Sequence, residues 1–79
     1  MAITLHQKEI MILMTDPNLK VPVQHTSFPF EHPYKIDSAI EQLYRMGYIN
    51  AVQSKAEFHW IATSITPKGY VFLKEAGLI

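Results

Sequence analysis

The sequence predicts an α+β fold in which helix, short strand, helix, β-hairpin and helix follow one another, and three features point to it. Apolar residues recur at helical spacing in two stretches, Ile10 to Met14 and Ile36 to Leu43. Between Gly47 and Thr66 the composition turns to Ile, Val, Phe, Trp and Thr in two short runs around a polar break, the mark of a hairpin. Helix signals bracket these segments: Thr4 with Gln7 and Thr66 with Pro67 as starts, Gly47 and Gly77 as stops.

Each element follows from these signals. Thr4 and Gln7 form a capping-box pattern, in which each side chain satisfies a free backbone N–H of the other residue, so the first helix is expected to begin there. Ile10, Leu13 and Met14, with Met11 alongside, make its buried stripe, and Pro17 ends it by disfavouring helical geometry at Asp16. Pro22, Pro29 and Pro33 then exclude a long helix, leaving a short extended "KVPV" and the irregular "HTSFPFEHP". Phe28, Phe30 and Tyr34 are too apolar for a freely solvated linker and are expected to lie over the core, with a partner-binding surface as the alternative. The second helix is expected from about Tyr34 to Met46, with Ile36, Ile40 and Leu43 inward. "YINAVQ" and "EFHWIATSI" are expected as the two hairpin strands, with Phe58 and Trp60 on one face of the second. Trp60 is expected in the core. "PKGYVFLKEA" completes a last helix.

Composition narrows the function classes. The 79 residues form one domain, over 1–79, able to bury only about 60% of its unfolded surface. Without cysteine there is neither a disulfide nor a thiolate ligand or nucleophile. No signal-peptide pattern opens the sequence and no apolar run nears the ~20 residues of a membrane span, so a cytoplasmic protein without a membrane partner is expected. Seven basic and seven acidic residues cancel. Any nucleic-acid-binding face therefore has to come from asymmetry, and a chain near zero charge lacks the self-repulsion that opposes self-association.

The element order, with "LYRMGYI" feeding directly into a hairpin, resembles the winged helix. "TDPNLKVPV", "SAIEQLYRMGYI" and "ITPKGYVFLKEAG" together look most like small phage-associated and YjcQ-like winged-helix proteins of unknown function. The resemblance spans most of the chain and implies a DNA-binding transcriptional regulator of phage or prophage type, with the second helix in the major groove of double-stranded DNA. One departure is visible in the residues: the interval that holds a positioning helix in a full helix-turn-helix carries three prolines here and has room for one short turn.

On the second helix, the residues away from the apolar stripe are Lys35, Asp37, Ser38, Glu41, Gln42 and Arg45. Lys35, Ser38, Gln42 and Arg45 suit base or phosphate contacts, and Lys55 at the hairpin tip adds one phosphate contact. Asp37 and Glu41 oppose them, since carboxylates are repelled by phosphates. With about four basic contacts the salt dependence is expected to be shallow, and a useful site requires a dimer. The alternative is a protein-interaction module, a homodimer or host-factor binder, motivated by zero net charge and by the aromatic "FPFEHPY". Whether Lys20, Lys35, Arg45, Lys55 and Lys68 converge on one face separates the two. No metal site or cofactor is expected, since no two of His6, His25, His32 and His59 have i, i+4 spacing. No phosphate loop, nucleophile elbow or acid pair suggests an enzyme.

Overall fold

The computed structural model describes residues 3–19, 22–56 and 58–79. Three helices and a three-stranded antiparallel sheet form an α+β fold compatible with a small winged-helix-like architecture: α1 (Leu5–Met14), β1 (Val23–Gln24), a 3-10 turn (His25–Ser27), α2 (Pro33–Arg45), β2 (Ile49–Gln53), β3 (Trp60–Ile65) and α3 (Pro67–Glu75). The strands lie in the order β1-β3-β2.

The capping box at α1 forms as expected. The Gln7 N–H donates to Thr4 Oγ1 at 3.2 Å and the Thr4 N–H to Gln7 Oε1 at 3.0 Å. Replacing Thr4 by alanine leaves one orphan donor unsatisfied, and an equilibrium denaturant titration should show a loss of about 1 kcal/mol. Ile10 and Met11 are buried, with Leu13 and Met14 packed at the core margin. In α2, Ile36, Ile40 and Leu43 are inaccessible to solvent and form the centre of the core with Val23, Ile49 and Leu73.

Pro33 does not precede α2 but opens it at the first helical position, where its missing N–H costs nothing; His32 is the N-cap, its Nδ1 accepting from the Tyr34 N–H at 3.3 Å. Gly47, at φ 82°, provides the left-handed exit. Lys68 Nζ donates to the Met46 carbonyl at 2.9 Å, placing a cation at the negative end of the helix dipole.

Three expectations need correction. The short strand comes at Val23–Gln24, one step later than "KVPV"; Lys20 and Val21 lie outside the described residues, as does Glu57. The second hairpin strand starts at Trp60 and excludes Phe58, whose backbone takes φ 60° and breaks the alternation expected to put Phe58 and Trp60 on one face. Of the aromatic trio, Phe28 packs against the core, whereas Phe30 is fully exposed and Tyr34 is 72% exposed. Phe30 sits in the turn ahead of α2, and Tyr34, in the first turn of α2, lines the same surface as Phe58 and Trp60.

A β-bulge sets which face of β3 meets the helices. Asn50 pairs with Ser64 but Ala51 pairs with Ala62, so Thr63 is the extra residue, and its hydroxyl donates to the Asn50 carbonyl at 3.1 Å. The extra residue inverts the period-two alternation, so Ile65, Ala62 and Trp60 turn inward while Thr63 and Ser64 stay exposed. Trp60 is half-buried against the core margin, with its ring 5.6 Å from that of Tyr44.

Candidate functional site

The outer surface of α2 and the hairpin tip carry most of the residues singled out in the sequence. Lys35, Ser38, Gln42 and Arg45 are all exposed on that surface, and Lys55 is exposed at the tip. Lys35, Ser38 and Gln42 share a groove of about 350 Å³ with Thr4 and His6 of the α1 end. Gln42 is already engaged there, since its Oε1 accepts from Gln7 Nε2 of α1. Arg45 does not join them as a free cation, because its Nε donates to Glu41 Oε2 at 2.8 Å.

Asp37 departs from its expected position. It does not face outward: it is 9% exposed, tucked between α2 and the residues that lead into β3. Its Oδ1 accepts from the Trp60 N–H at 3.1 Å, and its Oδ2 lies 2.6 Å from His59 Nδ1, whose N–H donates to it. At position 37 the helix surface points along the sheet flank, where a carboxylate meets a strand-leading N–H and an imidazole. The sequence alone offered no signal for this pairing, because the partners lie more than twenty residues away.

Between α2 and the hairpin lies a second groove of about 420 Å³, lined by Tyr34, Asp37, Ser38, Glu41, Gln53, Phe58 and Trp60. Its lining holds three aromatic rings and two carboxylates, and no lysine or arginine, among the described residues. Phe58 stands on its margin, 69% exposed. A φ of 60° is strained for a phenylalanine, at roughly 1–3 kcal/mol, and is held here by backbone and side-chain contacts. The Phe58 N–H donates to the Ser54 carbonyl at 2.8 Å, and its carbonyl accepts from Gln53 Nε2 at 2.8 Å.

The cations do not converge on this groove. Lys35 and Arg45 are ten residues apart, about 15 Å along the helix axis. Lys68 is committed to the end of α2, and Lys20 lies outside the described residues. The topology does unite His25, Asp37 and His59, a grouping that helical spacing could not reveal. His6 pairs instead with Glu31 at 3.0 Å, and Ser27 Oγ accepts from the Gln24 N–H at 3.3 Å.

Among the described residues, no helix is long and apolar enough to cross a membrane. No family model matches the chain, and neither a curated protein nor a solved structure shows significant similarity to it.

Proposed function

We propose that this protein is a winged-helix-like protein-interaction module whose groove between α2 and the hairpin takes a partner segment carrying Lys or Arg next to an apolar side chain. The observation that carries this reading is the lining of that groove: Tyr34, Phe58 and Trp60 supply aromatic surface, and Glu41 supplies a carboxylate, with no cation among them. Aromatic faces and carboxylates together attract a cation with an aliphatic stem. Glu41 is available for this, because an i, i+4 pair with 70% of the Arg45 side chain exposed is a weak surface interaction that a partner's arginine can replace. Exposed aromatic residues are also the side chains that dominate protein interfaces.

DNA reading is the second proposal, favoured by the exposure of Lys35, Ser38, Gln42 and Arg45 on one helix face. Its electrostatic support is thin. With Lys68 held at the end of α2, Lys35, Arg45 and Lys55 are left as phosphate contacts, Glu41 competing for Arg45, which gives a log-log salt slope no steeper than about −3.

Parallel selections separate the two. A displayed random-peptide library panned on the immobilised protein should enrich basic-apolar sequences, and Phe58→Ala and Tyr34→Ala should each weaken the selected peptide about tenfold or more. A random-duplex selection at low salt should enrich nothing. Enrichment of a duplex whose binding falls with Arg45→Ala and Gln42→Ala, alongside an unenriched peptide library, would reverse the assignment.

A further inference from the structure

The cluster of His25, Asp37 and His59 shares only Asp37 with the lining of the α2–hairpin groove. These residues come from three separate segments: the 3-10 turn after β1, the first half of α2 and the residue just before β3. One ligand atom from each, a ring nitrogen from each histidine and a carboxylate oxygen from Asp37, lies within 4.8 Å of the others. The two imidazole rings are 3.9 Å apart between centroids and tilted by 35°.

Two features distinguish this cluster from an ordinary histidine–carboxylate pair. The first is that His25 Nδ1 is buried without a hydrogen-bond partner among the described residues. A buried ring nitrogen with nothing to bond is costly, and a bound cation or a proton relay is a familiar reason to retain one. The second is the orientation of Asp37, whose Oδ1 is fixed by the Trp60 backbone N–H while Oδ2 faces His59. Anchoring one carboxylate oxygen by an outer hydrogen bond is how a metal-binding carboxylate is held in place.

From this we infer that His25, Asp37 and His59 form a binding site for a late first-row divalent cation, zinc in the first instance. Two imidazoles and one carboxylate are a nitrogen-rich donor set that suits zinc, cobalt or nickel and not magnesium or calcium. Three protein ligands leave a coordination position for water. The His59 and Asp37 side chains are 22% and 12% exposed, so the site is sheltered yet reachable from solvent. Binding replaces the 2.6 Å contact between His59 and Asp37 by two bonds of about 2.0–2.2 Å to one ion, which requires these two ligands to part by less than about 1 Å; the proton on His59 Nδ1 is given up to solvent, and the neutral ring keeps its N–H on Nε2. The ion would tie β1, α2 and β3 together at the edge of the α2–hairpin groove, which Asp37 also lines.

The test uses the full, tag-free chain after treatment with chelator. Titration with zinc chloride in a calorimeter should show one equivalent bound with micromolar or tighter affinity, and titration with cobalt chloride should produce the visible absorption of a four-coordinate ion. His25→Ala and His59→Ala should each weaken binding 100-fold or more, while the double variant His6→Ala with His32→Ala should leave it unchanged. Melting temperature should rise with zinc for the unaltered chain and the His6/His32 variant, and not for the other two. Circular dichroism of the His25→Ala and His59→Ala proteins shows whether they remain folded; if His59→Ala does not, His59→Gln and His25→Gln provide the same comparison. Absence of saturable binding overturns the inference, as does binding that survives both His25→Ala and His59→Ala or that is lost with His6 and His32.

Discussion

Replacing Gly69 by alanine is expected to remove a quarter or more of the stability of this domain. Alanine at the third position of α3 would normally help, since it is better than glycine in a helix by about 1 kcal/mol. Here a Cβ would sit 2.1 Å from the Tyr48 carbonyl oxygen and 2.7 Å from Ile65 Cγ2. Neither obstacle can step aside cheaply. The Tyr48 carbonyl accepts from the Thr66 N–H at 3.0 Å, and Gly69's own N–H donates to Thr66 Oγ1 at 3.1 Å, so the strand entry and the helix start are locked face to face. The backbone of α3 has to move away, uncovering Leu73, and the expected cost is about 3 kcal/mol or more. A domain of this size has a total of only roughly 4–12 kcal/mol. Thermal unfolding should therefore show a fall of roughly 12–24 °C or no cooperative transition. Gly77→Ala is the control: φ is 72° but nothing lies within 4 Å, so only the left-handed strain of about 1 kcal/mol should appear. Equal effects at the two glycines would show that close packing is not what excludes a side chain at Gly69.

Asp37→Ala, measured with chelator present, is expected to destabilise by about 3 kcal/mol, a far larger effect than at a solvated helix position. Truncation strands two groups, the Trp60 N–H and the His59 ring, in surroundings where water reaches poorly. An unsatisfied buried donor costs about 1–3 kcal/mol, and a lost charge-assisted bond adds to it. Asp37→Asn should fall between, because its oxygen can still accept from Trp60 while its amide cannot replace the carboxylate beside His59. Ser38→Ala, one residue away and exposed, should stay within about 0.5 kcal/mol of the unaltered protein. Guanidinium titrations of the four proteins check the order; equal stability of Asp37→Ala and Ser38→Ala would mean that the carboxylate bonds contribute nothing.

These two positions show where local and tertiary information part. As a sequence, the α2 segment looks like an amphipathic helix with Asp37 among its solvent-facing residues, because a helical wheel treats everything off the apolar stripe as outside. Yet Asp37 lies only one step from Ile36, on the flank that turns toward β3. Whether such a flank meets water or another strand depends on how far the neighbouring element reaches, which no local pattern encodes. The same holds for the histidines. A search along the chain finds ligand pairs a turn apart on one helix, whereas His25, Asp37 and His59 are joined only when β1 and β3 pair and α2 packs across them.

What the sequence by itself determined is the set of elements and their order. The capping box at Thr4, the Thr66–Pro67 start, the left-handed glycines at 47 and 77 and the stripe of Ile36, Ile40 and Leu43 are interactions among residues within one or two turns of each other, so composition and spacing suffice to specify them. The tertiary structure decided what the surfaces became. It inserted Thr63 as a bulge and so turned Trp60 and Ala62 inward, left Phe58 standing at the groove in a strained conformation, drew Lys68 to the end of α2 and buried Asp37 beside His59. Most of these outcomes depend on which distant segment supplies a hydrogen-bond partner, and that is settled only when the hydrophobic core brings the segments within about 3 Å of one another.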